Sequence, residues 1–359
     1  MRGPLFIRVA DFGGRSLLAS LPLVSALVFG LVLIAVPTTR GQSVKTSVPY
    51  SDVKPIVDVL REDLLPAELR GRIPAEIEAL WPDWVSRRDA MIRARGLPVD
   101  TSIFIDLGLE RALDAMRVAG VMRPGAVRRV AIIGPGLDFI DKLEGYDFYP
   151  EQTIQPFAVI DSLLRLDLAE IAQLQVAAFD LSPRVLEHLE AARARARAGT
   201  PYTVVLPRNT DRPWTPDLVD YWQAFGNWIG EAAARVPPPP PGAGRVEVRG
   251  IAVRPPVVLS VTPLDLDIVT ERLGPSSPDE AFDLVIATNI LLYYDVFEQS
   301  LAMANIARML RPGGFFLSNN RVFELPTSPL SGVGFTDTTY ISLPGIGDTG
   351  DRVIWYRRQ

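Results

Sequence analysis

Apolar residues along this chain alternate between two patterns, and the alternation predicts the elements. Short continuous β-branched runs read as strands buried on both faces. Val130–Ile133 is the first, closed by Gly134, and Val176–Phe179 is the second, closed by Asp180. Val257–Val261 is expected as the third, with Val246–Val253 as an extra strand before it. Phe282–Ala287 and Gly314–Ser318 make the fourth and fifth. Between them the apolar spacing changes to that of helices. Phe157, Ile160, Leu163 and Leu164 share one face of a helix over 156–166. Ser182 and Pro183 look like an N-cap and first helical residue, followed by the stripe Val185, Leu186 and Leu189. Gln299–Leu310 is a further helix, stopped by Arg311-Pro312-Gly313-Gly314. Strands alternating with helices predict an α/β fold with a doubly wound, mostly parallel sheet.

Residues 46–124 read as helices instead. A helical pattern starts at Pro74, is expected to break at Pro82, resumes through Trp84, Arg87, Met91 and Ile92, and stops near Gly96. Ile103–Ala119 is another helix, ended by Gly120. The region from 125 to 359 is expected to hold the sheet, with inserts at 137–155 and 200–256. The second insert contains the proline run Pro237–Pro241, read as a stiff surface linker. It also contains Tyr221, Phe225 and Trp228 at helical spacing, read as a packing stripe. Arg193, Arg195 and Arg197 are expected on a solvated helix face.

Residues 16–36 carry no charge, and Arg2, Arg8 and Arg15 precede them. A run of about 20 apolar residues can cross a bilayer as a helix. Residues 1–45 are therefore expected to target a membrane, as an uncleaved anchor or, alternatively, as a signal peptide removed on export.

Composition narrows the chemistry. Among 359 residues there is no cysteine and a single histidine, His188. That argues against disulfides, thiolate chemistry, a His-rich metal site and a His-based triad, and no metal is expected. The net charge of −5 argues against a nucleic-acid partner, since phosphate backbones are held mainly by Lys and Arg. Catalysis must then use carboxylates, Tyr, Asn, backbone groups or a cofactor.

Three segments point to a cofactor. Val130-Ala131-Ile132-Ile133-Gly134-Pro135-Gly136 is a strand running into a Gly-x-Gly turn, where a ligand can approach the backbone closely. Asp180 ends the next strand, where a carboxylate can accept both hydroxyls of a ribose. Phe282-Asp283-Leu284-Val285-Ile286-Ala287-Thr288-Asn289-Ile290-Leu291-Leu292-Tyr293-Tyr294-Asp295, followed by Leu310-Arg311-Pro312-Gly313-Gly314, is the most specific.

This third segment resembles the fourth strand, helix and fifth strand of class I, Rossmann-like S-adenosylmethionine-dependent methyltransferases. Its Asn-x-Leu-x-Tyr portion is most similar to the chemotaxis-receptor glutamate methyltransferases. The resemblance covers about 125–359, without the inserts, and implies an antiparallel strand pair near the C-terminus, at Thr336–Leu343 and Asp351–Arg357. It implies S-adenosylmethionine as cofactor and methyl transfer to an unidentified small-molecule or protein acceptor. Gly134 and Gly136 would lie beneath the donor's methionine portion, Asp180 would hold the ribose, and Asp265 or Asp267 would lie near the adenine. Thr288 and Asn289 would line the floor beside the methyl group, with Asn289 and Tyr293 as candidate catalytic residues.

The chain also departs from the pattern. Ile132 stands where the family has an acidic residue two positions before the first glycine, and Asp138 replaces a third glycine. Asp138 or Asp141 is the expected substitute partner for the donor's amino group. An apolar residue at that position also occurs in aminopropyltransferases, an alternative reading. A binding module that kept the fold and lost catalysis is another. The loop Asp138–Gln155, with Tyr146, Phe148 and Tyr149, is expected to be a lid over the donor or a brace against the N-terminal helices.

Overall fold

The structure is a computed structural model that describes residues 44–96, 103–138, 148–275, 277–343, 345 and 347–359. The apolar run 16–36 lies outside the described residues, as do Asp141, Tyr146 and Asp147. Among the described residues no helix is long and apolar enough to cross a membrane.

In chain order the elements are β1 (Val44–Ser47), α1 (Tyr50–Val57), α2 (Pro74–Arg95), α3 (Ile103–Val118), β2 (Arg129–Ile133), α4 (Gln155–Arg165), β3 (Gln175–Asp180) and α5 (Pro183–Arg197). Then come β4 (Tyr202–Asn209), α6 (Pro216–Ala224), β5 (Gly230–Ala232), β6 (Val246–Val253), α7 (Pro255–Ser260), β7 (Val261–Asp265), β8 (Glu271–Gly274) and β9 (Phe282–Ala287). The chain ends with α8 (Val296–Met309), β10 (Leu310–Ser318), β11 (Leu330–Leu343) and β12 (Gly347–Arg358).

Seven strands form the central sheet in the order β11-β12-β10-β9-β2-β3-β7. The pairs β7–β3, β3–β2, β2–β9 and β9–β10 are parallel. Only β12 runs antiparallel to its neighbours, between β10 and β11. The doubly wound sheet with a terminal antiparallel pair is thus as the sequence implied. Strand residues alternate between two cores, as period-two geometry requires. Val130, Ile132, Leu284 and Ile286 face a core completed by α3, α4, α5 and α7. Ala131, Ile133, Val285 and Ala287 face one completed by α1, α2 and α8. Burial on both faces is why these strands read as unbroken apolar runs.

Several expectations are corrected. The apolar run at 257–261 is not a strand: Pro255 and Pro256 open the short helix α7, and the third parallel strand starts at Val261. A short apolar run suits either element, and prolines at the first helical turn favour the helix. Helix α2 continues through Pro82, which is exposed. Its buried flanks hold it there: Trp81 stacks on Trp84 with ring centroids 5.0 Å apart and donates its indole N–H to the Val48 carbonyl at 2.9 Å. The buried stripe of α2 is Ile77, Trp81, Trp84, Arg88 and Ile92, so Arg88 is inside and Met91 outside.

The 200–256 insert builds its own antiparallel sheet, β4-β6-β5. Val246–Val253 is a strand, but it belongs there and not in the central sheet. Tyr221 and Phe225 are buried while Trp228 is 50% exposed, because α6 ends at Ala224 and the helical spacing stops with it. Arg193 is largely covered, its side chain 15% exposed: its guanidinium donates to the carbonyls of Leu259 and Val261, tying α5 to the end of α7.

Candidate functional site

Parallel register brings the C-terminal ends of β2, β3, β7 and β9 to one level. Ile133 pairs with Phe179 on one side and Ala287 on the other, and Asp180 pairs with Asp265. From β2 the chain winds outward through β3 to β7, then returns to β9 on the opposite side. Ligands bind at such a topological switch point, outside the carboxyl ends of the strands. A cleft of about 500 Å³ lies there. Gly134, Gly136, Asp180, Thr288, Asn289 and Tyr293 all line it.

The glycine turn has a conformational reason for its composition. Gly134 and Gly136 have φ of 66° and 64°, the left-handed region that side chains disfavour. The Gly134 N–H donates to the Phe179 carbonyl at 2.7 Å, carrying the turn from β2 toward β3. Ile290 packs so closely on Gly134 that a Cβ there would fall 2.2 Å from its Cδ1.

Asp180 sits at the junction. Its Oδ1 accepts the Ser182 N–H at 2.8 Å, a turn just ahead of α5, while the Ser182 side chain expected to cap that helix makes no cap bond. Burial lifts its carboxyl to about 6, the N–H groups of Ser182, Gly136 and Leu181 act against that rise, and the nearby Asp265 adds to it. The carboxylate therefore spans the glycine turn and the start of α5.

The opposite wall comes from β9. Thr288 is buried, and its Oγ1 accepts from Gln155 Nε2 at 2.7 Å. Asn289 follows with φ of 58° and is exposed to the cleft. Leu292 is exposed and Tyr293 half-buried. Tyr294 is buried beneath Arg88, whose guanidinium lies 5.5 Å from its ring centre.

Of the other expected donor-site residues, two stand outside the cleft lining and Asp265 lies at its rim. Asp267 is 1% exposed, pairs with Arg88 and accepts the Val269 N–H at 2.9 Å, so it is a structural anchor outside the cleft. Burial works against the charge on Arg88, and Asp267 and Glu298 outweigh it. Asp265 lies at the rim, its Oδ1 3.0 Å from Arg93, and Arg93 itself lines the cleft. Asp138 is buried behind the turn, in a two-way backbone bridge with Gln152 and within reach of Tyr149 and Gln152 side chains at 3.4 Å each.

The loop that carries Asp138 has a braced C-terminal part. Gln152 exchanges two hydrogen bonds with Val205, both at 2.7 Å. Phe148 and Tyr149 pack with Val205, Val246 and Val248 of the small sheet, not with the N-terminal helices. The Thr153 N–H donates to Tyr202 Oη, which in turn meets His188 Nε2 at 2.8 Å. So the sole histidine braces the insert and is absent from the cleft lining.

The cleft also uses residues that no motif flagged: Ile92, Arg93 and Gly96 at the end of α2 cover the Asp180 side. Gln155, the last residue of the loop expected to cover the donor, closes the Thr288 side. Nothing near Arg93 in the sequence pointed to Asp265, which lies 172 residues away.

Residues 261–318 match a family described as "Methyltransferase domain". No curated protein matches the chain. Solved structures similar to the chain include the N-methyltransferase NodS from Bradyrhizobium japonicum, at 14% identity over 69% of this chain and 96% of that one, with a TM-score of 0.30. The magnesium protoporphyrin IX methyltransferase from Synechocystis, solved with bound SAM, is similar at 13% identity over 75% and 91% of the two chains, with a TM-score of 0.30. TrmN from Thermus thermophilus is similar at 12% identity over 89% and 82%, with a TM-score of 0.33.

Proposed function

We propose that the protein is an S-adenosylmethionine-dependent methyltransferase. One observation carries the reading. The Gly134–Gly136 turn and Asp180 meet at the switch point of the sheet, joined through the Gly136 N–H, in a chain whose 261–318 segment matches a methyltransferase domain. The residues fit the group: two glycines leave the backbone bare, Asp180 offers a carboxylate to a ribose, and Phe179, Leu266 and Ile268 offer apolar walls. Bound there, the donor would supply an electrophilic methyl group on a sulfonium sulfur.

The protein's part is then mainly alignment. Holding the acceptor nucleophile in line with the methyl group removes most of the entropic cost of a two-substrate reaction. Thr288 and Asn289 line the side of the cleft opposite Asp180, and Leu292 and Tyr293 present an apolar edge and a phenol to an acceptor. A strong general base is not required, which suits a cleft without histidine. The acceptor is a small molecule or a protein side chain, including the carboxylate class suggested by Asn289, Leu291 and Tyr293. Residues 16–36 attach the protein to a membrane.

Calorimetric titration of the purified protein with S-adenosylhomocysteine tests the donor assignment. Saturable one-to-one binding is expected. No heat and no thermal stabilisation at millimolar ligand would refute it.

A further inference from the structure

The proline run Pro237–Pro241 does not bridge two separated elements. Residues 233–245 join β5 to β6, and these strands are paired neighbours, with Ala232 opposite Ile251. Paired antiparallel strands are usually joined by about 2–5 residues. A stiff spacer is not needed at this position, so the run calls for another explanation.

Consecutive prolines hold one another in the extended polyproline II helix, which has three residues per turn. Side chains then fall on three edges. Arg235, Pro238 and Pro241 share the first, Val236 and Pro239 the second, Pro237 and Pro240 the third. Burial follows these edges. Arg235, Pro238 and Pro241 are all exposed, while Val236 and Pro239 are both half-buried. On the third edge Pro240 is exposed and Pro237 half-buried. Val236 packs so closely on Gly250 of β6 that a Cβ there would collide with it. The segment is also pinned at both ends. The Ala233 N–H donates to the Gly250 carbonyl at 2.9 Å, and the Ala243 N–H donates to the Pro240 carbonyl at 3.1 Å. Ala243 itself packs against Tyr149 and Val205. The second edge is thus laid on the small sheet, and the first is presented to solvent. Charge follows the same division. Arg245, beyond the run, pairs with Asp211 at 3.4 Å, whereas Arg235 has no ion-pair partner among the described residues.

We propose that Arg235–Pro241 is a docking segment for a partner domain with an SH3-type groove, two aromatic-lined pockets flanked by carboxylates. Pro238 and Pro241, one turn apart, fill the two pockets, and Pro240 completes the contact from the adjacent edge. Arg235, one turn before Pro238, reaches the carboxylates in a charge-assisted bond. The packed edge stays on the small sheet, so the partner and the fold do not compete for the same side chains. A segment already held in its bound shape loses little entropy on docking. None of residues 233–245 lines the cleft, so docking here is independent of the donor.

The test titrates the full-length protein, purified in detergent, with a panel of SH3 domains that accept Arg-x-x-Pro-x-x-Pro peptides. Saturable one-to-one binding by at least one domain is expected, displaced by a free peptide of that pattern. Arg235→Glu should weaken it by at least about tenfold, because a charge-assisted bond becomes a like-charge contact. Pro238→Ala combined with Pro241→Ala should do the same. Arg245→Glu, exposed but outside the pattern, should change it by less than about twofold. No binding by any domain, binding that the peptide does not displace, or equal losses for Arg235→Glu and Arg245→Glu overturns the docking segment. Binding that needs the prolines but ignores Arg235 overturns the SH3-type groove. Unchanged urea midpoints show that the variants are folded. If the double proline variant is not, Arg235→Glu and peptide displacement decide.

Discussion

Asn289 and Asn319 hold each other across the ends of two parallel strands. The Asn289 N–H donates to Asn319 Oδ1 at 2.8 Å, and Asn319 Nδ2 donates to Asn289 Oδ1 at 2.7 Å. The pair fixes Asn289 at φ 58°, which places the chain after β9 along the cleft wall. Asn tolerates this backbone region better than other side chains do. Asn289→Ala should therefore cost about 1–2 kcal/mol of stability, and Asn289→Gly distinctly less. Asn319→Ala should cost about 0.5–1.5 kcal/mol. Urea melts check this; equal cost for the Ala and Gly variants would show that the backbone angle is not what Asn289 provides.

At Asp180 the prediction concerns affinity and pH together. Asp180→Ala should weaken S-adenosylhomocysteine binding by about 1.5–3 kcal/mol, the scale of a hydrogen bond to a charged group. The carboxyl titrates at about 6 in the ligand-free protein. Wild-type affinity should therefore fall as pH drops through that value, by at most about tenfold per pH unit for one proton. Asp180→Asn should have a flat profile over the same range. A wild-type profile that is also flat between pH 7.5 and 5 would take the Asp180 charge out of binding.

Stability should move the other way. Asp161 and Asp180 both titrate at about 6 in the fold, raised by burial from 3.8. The folded state binds these protons first, so its stability rises as pH falls from above 6 toward 4. Asp161 accepts the Trp228 N–H at 3.0 Å, which locks the turn after α6. Asp161→Asn should flatten part of the rise in urea midpoint between pH 7 and 5. An unaltered rise would mean that other groups carry it.

For the buried ion cluster the prediction separates stability from binding. Arg88→Met leaves Asp267 buried without its partner, which should cost about 3–5 kcal/mol. Asp267→Asn should leave S-adenosylhomocysteine affinity within twofold in the folded protein. A tenfold loss measured by calorimetry would put Asp267 back at the donor.

Membrane attachment is tested by fractionation. If residues 16–36 anchor the protein, it should stay with membranes through a carbonate wash at full length. Release of a shortened chain would show a cleaved signal.

Much of this protein was legible in the sequence because its central strands are buried on both faces. Apolar runs such as Val130–Ile133 and Phe282–Ala287 admit few other readings, and the glycine turn and Asp180 each close a strand. Their meeting in one cleft follows from parallel register alone. Local pattern misled at two places: it gave 257–261 as a strand and a break at Pro82, where the structure has a helix and an unbroken one. The Pro255-Pro256 backbone favoured the helix in the first case, and the Trp81–Trp84 packing held the helix together in the second. Tertiary structure alone sorted the acids. Asp138, Asp180, Asp265 and Asp267 are equivalent as letters, yet one faces the cleft, one pairs at its rim and two are buried behind it. A carboxylate's role depends on which groups surround it in space, and helix α2 brings Arg93 to Asp265 across 172 residues of chain, a proximity that no local pattern records.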